Sequence, residues 1–468
     1  MIFKFNHKIL ILCYSFLFFP YILSTFFIPF LNIDTAYYSL IGKSYLVDFD
    51  INKTLFDHKP FGIIFYGLLI YLIDSYHAPI ISLSSYLLIC FGIQRIHSDK
   101  NVNIIIVFLL CLVFGVFFEG MSANTEIILS PILLWLSIYV IESFNKPSLL
   151  KITFSGFLMS IALSINLIVI PIILSIFLSL ILLNKLSFSS LLHIFKICLI
   201  SLISLFFFSY LILGNIDNAL LYLHQKINFL SSYATSITLF NSFENFIKKT
   251  VIFIPILLSS ILLMPLNNIK VLIFLFWFVG SSISIIFAKN SFDHYFFLLA
   301  VPLIGLSVNL IKLKFLNVNF FLIAASSVLI YSPIKSLPIA INNYNNSIYL
   351  NNEYDGLIKI IEELDIHNST FAFIQIKPDF LFLSQLNANN LNYNFYNNSD
   401  DSDHVSLLYK ENEKIINYYE NLIFTNPQYL FINKDFCMND KMISVCNKLK
   451  KYKNIYQEHS ISLLQLNK

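Results

Sequence analysis

Residues 57 to 62, Asp57-His58-Lys59-Pro60-Phe61-Gly62, bring a carboxylate, an imidazole and an ammonium together just ahead of a short apolar run. Upstream, where the first long hydrophobic stretch ends, stands another carboxylate, Asp34, with Tyr37 three residues on. A carboxylate can take a proton from a weak nucleophile such as a hydroxyl. A lysine ammonium with a histidine beside it can hold a phosphate, or steady the negative charge of a departing one. Each residue also has a plainer use. Asp34 and Asp57 can cap helices, Pro60 fits a first helical turn, and Lys59 can reach from a surface helix to water. Two further polar stretches interrupt the apolar sequence: "EGMSANTE", with Asn124 and Glu126, and "AKNSFDHY", with His294 and Tyr295.

These groups must be positioned by a membrane. Of 468 residues, 57% are hydrophobic and 12% charged, where soluble domains average about 25% charged. The net charge of +3 is too small, and the basic residues too scattered, for nucleic acid. The first apolar run, Ile9 to Phe30, lacks a small-residue cleavage site and reads as a retained span, with Lys4 and Lys8 setting the N-terminus in the cytoplasm. Further spans are expected near 79–95, 102–118, 127–142, 152–166, 168–184, 191–213, 251–265, 271–287, 295–311 and 317–333. The run 61–73 is short for a crossing. Laid along the membrane surface, it leaves Arg95, Lys100, Lys146, Lys151, Lys185, Lys270, Lys312 and Lys314 in cytoplasmic loops, as the distribution of positive charge requires. The expected fold is an α-helical polytopic membrane protein of about eleven spans and two juxtamembrane helices. One of these follows Asp34, where Ile33, Tyr37, Leu40, Ile41 and Tyr45 recur at helical spacing; the other follows Asp57, with Phe61, Ile64, Phe65, Leu68 and Leu69 dipping into the interface.

Beyond about residue 334 the composition shifts, and fifteen of the 27 acids lie there. "TFAFIQI" and "QYLFINK" read as strands, and "ENEKIINYYENLIF" as an amphipathic helix. The domain expectation is therefore a membrane domain over 1–335, with its polar outer loop at 31–78, and a small extracytoplasmic α/β domain over 336–468. Cys437 and Cys446, in that domain, have no metal-ligand spacing and are either a disulfide or free thiols.

Asp34 with Tyr37, followed by "DHKPFG", resembles the first extracytoplasmic loop of the polytopic C-class glycosyltransferases, which include protein O-mannosyltransferases and the lipid A aminoarabinose transferase. Phe61 replaces the second proline common there, and Thr35 stands where many members carry a second acid. "SANTEIILSPILLW" resembles the second acidic motif of that family, and His294, Tyr295 and Pro302 match a late His-Tyr-Phe…Pro motif. The resemblance covers roughly residues 9–335.

The resemblance implies transfer of a sugar from a polyprenyl-phosphate donor to a hydroxyl on a lipid, glycan or protein acceptor. The setting would be the extracytoplasmic face of a bacterial inner membrane. Asp34 would be the general base of a single inverting displacement. Lys59, His58 and His294 would bind the lipid phosphate, and Tyr37, Asp57, Asn124, Glu126 and Tyr295 would line the sugar or acceptor pocket. No compact set of metal ligands appears, so no cofactor is expected, and a divalent metal is left open but not indicated. The alternatives are a lipid or polysaccharide transporter or flippase, and an oligosaccharide polymerase or ligase. A transporter predicts inverted repeats and midplane charges, and neither is found. Polymerases rely on outer-loop arginines, whereas the single arginine, Arg95, falls on the inner side.

Overall fold

The computed structural model describes residues 7–27, 33–47, 60–97, 104–120, 122–183, 188–215, 217, 239–263, 268–288, 293–312, 331–345, 354–366, 369–374, 419–438, 442–458 and 460–467. Asp57, His58 and Lys59 lie outside them, as do Lys289 and most of the expected span at 317–333. The chain divides into two compact units, and neither is continuous in sequence. Composition breaks near 335, but packing groups residues 31–76 with residues 345–468.

The first unit is helical. It contains α1 (His7–Ile22), α4 (Pro79–His97), α5 (Ile104–Phe117), α6 (Thr125–Asn145), α7 (Leu149–Ile165), α8 (Ile170–Leu183), α9 (Phe188–Leu213), α10 (Leu239–Thr250), α11 (Ile254–Leu263), α12 (Ile269–Phe287), α13 (Ala300–Lys312) and α14 (331–345). Six helical stretches among the described residues are long and apolar enough to cross a membrane, and five shorter apolar helices accompany them. Hydrocarbon offers no hydrogen bonds, so a segment in it must satisfy its own backbone. The buried serines obey the same constraint. Ser130, Ser137, Ser155 and Ser260 each donate to the carbonyl four residues back, at 2.7–2.8 Å. Near the ends of α4 and α6, Arg95 makes a two-pronged contact with Glu142, at 2.8 and 3.1 Å. Its guanidinium also lies 5.4 Å from the Trp135 and Tyr139 ring centres. A fork that pairs and stacks at once is what a lysine cannot supply.

Sequence spacing missed two elements of this unit, α10 and α14. In α10, Ser242, Phe246 and Thr250 are buried on one face while Phe240, Phe243 and Ile247 are exposed. The helix ends in Lys248 and Lys249 and joins α11 through a 3-10 turn, Val251–Phe253.

The second unit contains α2 (Ile33–Val47), α3 (Gly62–Ile73), α15 (Asp355–Glu363), β1 (Phe371–Ile374), α16 (419–424), β2 (Tyr429–Asn433), α17 (Ile443–Leu449), β3 (Tyr452–Glu458) and β4 (Ile461–Leu466). The sheet order is β1-β2-β4-β3, with β1 parallel to β2 and the other pairs antiparallel. Side chains alternate across it. Phe371, Phe431 and Leu463 face Leu357 and Ile361 of α15, while Ala372, Ile374, Leu430 and Ile432 face Tyr419, Ile423 and Val445 on the other side. The sequence showed β1 and β2 but not the β3–β4 hairpin, α15 or α17. Only 419–424 of the expected amphipathic helix is described, and it is helical. Cys437 and Cys446 are joined as a disulfide.

The helix carrying Asp34 is more enclosed than a helix lying on a surface. Thr35, Ala36, Tyr38, Ser39 and Ile41 are all buried. Tyr37 and Leu40 pack against the α/β core. On the α3 side, Gly42 meets Gly67 so closely that a Cβ on Gly67 would stand 2.3 Å from the Tyr38 carbonyl oxygen. Two glycines allow that approach. The structure also moves the apolar stripe expected on α3. Phe61 and Ile64 are buried, and the exposed positions are Phe65, Leu69, Tyr71 and Leu72. Helix α3 begins at Gly62, so Pro60 precedes it rather than opening it, and Phe61 makes no side-chain cap.

Candidate functional site

In the first unit the polar groups gather where α5 turns into α6. Tyr86 of α4 is fully buried, its ring stacked on Phe297 at 5.7 Å, and its hydroxyl donates to the Gly120 carbonyl at 2.9 Å. Gly120 and Gly115 leave room for that hydroxyl, which a Cβ on either would approach to 2.2–2.3 Å. This anchor fixes the turn at Glu119. The Glu119 carbonyl accepts from the Ser122 amide at 3.0 Å and the Ser122 hydroxyl at 2.8 Å. Glu119 itself has φ +50°, a left-handed conformation that a residue with a side chain seldom adopts.

The Glu119 carboxylate stands 3.6 Å from Nδ1 of His294, which lies in a 3-10 helix, Asp293–Leu299, leading into α13. Asp293 pairs with Lys249 of α10, and the Lys249 ammonium also sits over the Phe296 ring at 5.1 Å. The His294 ring first, and the charges of Lys249 and Lys335 after it, hold the Glu119 carboxyl below the usual carboxylate range, against the opposing effect of partial burial. Sequence reasoning singled out His294 and Tyr295 but not Glu119, Lys249, Asp293 or Lys335. The available signals were an acid directly before a glycine in "EGMSANTE" and the amphipathic "ENFIKKT".

Asn124 and Glu126 open α6, with Asn124 at the cap position and Glu126 in the first turn, where the helix dipole favours a negative charge. Glu126 is completely buried. Its Oε1 accepts from the Asn166 amide at 3.0 Å and the Thr125 hydroxyl at 3.1 Å. Its Oε2 and the Asn124 Oδ1 have no hydrogen-bond partner among the described residues. Buried acceptors left open are uncommon in folded proteins. Tyr295 is buried, with its ring edge-on to His294 at 4.7 Å.

Asp34 and Tyr37 belong to the second unit. Asp34 is not the cap of α2 but lies within its first turn, half-buried, because the helix starts one residue earlier at Ile33. Asp57, His58 and Lys59 fall outside the described residues.

No protein-family profile and no curated protein matches this sequence. Solved structures do match its shape. ArnT from Cupriavidus metallidurans bound to undecaprenyl phosphate superposes with a TM-score of 0.61, covering 98% of both chains at 10% identity. The same protein in the apo state gives 0.57 over 98% of this chain and 97% of that one, again at 10% identity. The chain has the ArnT fold. The match to ArnT extends through the α/β part as well as the membrane helices, since it covers 98% of the chain. It therefore reaches beyond the region that the motifs could cover. ArnT is the lipid A aminoarabinose transferase, a C-class glycosyltransferase.

Proposed function

We infer that this protein is a membrane glycosyltransferase, moving a sugar from a polyprenyl-phosphate donor to a hydroxyl of a lipid, glycan or protein acceptor. The observation that carries this reading is the ArnT fold along 98% of the chain, with one ArnT structure bound to undecaprenyl phosphate. Four motifs in family order support it independently of shape. The Cys437–Cys446 disulfide supports an extracytoplasmic C-terminal part, because such bonds persist in oxidising compartments.

In this reading Asp34 accepts the proton of the acceptor hydroxyl as its oxygen attacks the sugar C1. The C1–O bond to the lipid phosphate breaks, the phosphate leaves with the electron pair, and one displacement inverts the anomeric centre. Lys59, with His58 and His294, balances the charge that grows on the leaving phosphate. Tyr37, Asp57, Asn124, Glu126 and Tyr295 are assigned to the sugar or acceptor pocket, Glu126 and Asn124 through their open oxygens.

Reconstituted protein with a synthetic polyprenyl-phosphate sugar tests these roles. Asp34→Asn should lower transfer by roughly 10²–10⁴-fold while leaving folding intact. Retention of more than a few per cent of the wild-type rate would remove Asp34 from the base's role. Lys59→Gln should raise the donor KM and lower kcat together, since part of the lost interaction strengthens only in the transition state. Unchanged kinetics there would mean that the phosphate is held by other groups.

A further inference from the structure

Glu119 occupies a position where its side chain is hard to explain by folding alone. At φ +50° a glycine would be the relaxed choice, and Gly120 is the very next residue. The turn is held by backbone and neighbours: the Glu119 carbonyl accepts both Ser122 donors, and Tyr86 bonds Gly120. None of these contacts uses the Glu119 carboxylate. What the carboxylate does reach is Nδ1 of His294, at 3.6 Å. That is ion-pair range, and catalytic contacts of this kind often tighten only when ligand binds. His294 is largely buried, with 14% of its side chain exposed, whereas Glu119 is about half exposed.

We propose that Glu119 is the positioning residue of His294, anchoring Nδ1 so that ring plane and charge state are both set for an anionic ligand. This rests on the reading of His294 as a phosphate-binding group. An imidazole with one nitrogen fixed by a carboxylate has a defined tautomer when neutral, and its cationic form is favoured by the adjacent negative charge. The other charges around the pair do not substitute for Glu119. Lys249 of α10 is committed to Asp293, and Lys335 of α14 stands over the Phe117 ring at 5.3 Å. Both are cations and oppose protonation of His294. Glu126 on α6 is bonded to Asn166 and Thr125, Tyr295 is edge-on to the ring, and Tyr21 of α1 lies within the field of Glu119. Among the acids near the ring, Asp293 has its own lysine. In this proposal the Glu119 carboxylate, at Nδ1, is the acid that sets the histidine's charge.

Three variants of the full chain in nanodiscs, Glu119→Gln, Glu119→Gly and His294→Asn, separate this role from a structural one. Histidine NMR titration in unliganded protein, assigned with His294→Asn, reads the ring directly. Both Glu119 variants should move the His294 midpoint to lower pH. An unmoved midpoint overturns the proposal. Undecaprenyl phosphate binding, measured from pH 5.5 to 8.5, should fall roughly three- to tenfold at pH 7 in Glu119→Gln. His294→Asn should weaken the pH dependence through the histidine range to what the phosphate's own second ionisation and His58 contribute, and the double variant should bind no worse than His294→Asn alone. Additive losses would overturn the proposal, because two independent contacts add. Glu119→Gly should melt no lower than wild type, since it relieves the left-handed strain, yet should bind as weakly as Glu119→Gln. A clear loss of stability in Glu119→Gly would make Glu119 a structural ion pair and overturn the positioning role. If the midpoint moves but wild type binds no polyprenyl phosphate at any pH, the glycosyltransferase reading fails while the hold of Glu119 on His294 stands.

Discussion

The two units bury opposite things. In the helical unit the buried polar residues are mostly serines, and the surface is covered by large apolar side chains, such as Leu202, Ile203, Phe206 and Phe207 along α9. In the α/β unit only Thr35, Ser39 and Ser462 are buried polar residues among those described, and the interior is Phe, Tyr, Ile and Leu. A serine that bonds back to its own helix loses little inside a bundle, and an exposed leucine costs nothing where the solvent is lipid. In water the preferences reverse. The contrast identifies the solvent each unit was built for. One helix crosses the division: α3 sits in the second unit but exposes Phe65, Leu69 and Leu72 along one edge, the pattern of the first.

A charge placed on each surface tests the difference most strongly. Leu202→Lys, near the middle of α9, should cost about 3 kcal/mol and lower the yield of folded protein in membranes. Phe424→Lys, on a side chain 79% exposed in the α/β unit, should change stability by less than about 0.5 kcal/mol. Thermal unfolding in nanodiscs compares the two, and equal costs would erase the distinction.

Next in size is Gly67→Ala. The new methyl would collide with the Tyr38 carbonyl, so α2 and α3 must separate at a cost of about 1–3 kcal/mol. Because Asp34 rides on α2, transfer should fall together with stability. Asp34→Asn should lower transfer alone. If Gly67→Ala unfolds at the wild-type temperature, the helices are not in the contact described.

The smallest effect sharpens the account of the α/β core. Tyr452 is buried, and its hydroxyl donates to the Pro427 carbonyl at 3.0 Å. Burial pushes its pKa from 10.0 up to about 12. A raised folded-state value means that the protonated form is the stabilising one. Its contribution is complete below pH 10 and is lost as pH rises toward 12. Tyr452→Phe should cost about 1 kcal/mol at pH 7 and flatten that alkaline loss. Urea unfolding at pH 7 and pH 11, followed by near-ultraviolet circular dichroism, reads both changes.

Much of the helical unit was legible in the sequence, because an apolar run of membrane length has few folds open to it. The expected spans 79–95, 127–142 and 271–287 became α4, α6 and α12 with boundaries moved by three residues or fewer. Asp34, His294, Asn124 and Glu126 were visible for another reason: a charged or polar group beside a long apolar run stands out from its surroundings. The β3–β4 hairpin was not visible. "KYKNIYQEHSISLLQLNK" alternates weakly, and its pairing with β2 is a contact between distant segments. Tertiary structure alone decided that residues 31–76 join the α/β core, since the glycine-to-glycine approach of α2 and α3 and the packing of Tyr37 on that core have no local signature. It alone decided the company of His294 as well. Glu119, Lys249 and Lys335 come from a turn, an amphipathic helix and α14, and are separated by 86 residues or more along the chain. Hydrophobic periodicity specifies which face of a helix is buried. Only the packing of several helices specifies which charges meet at their ends.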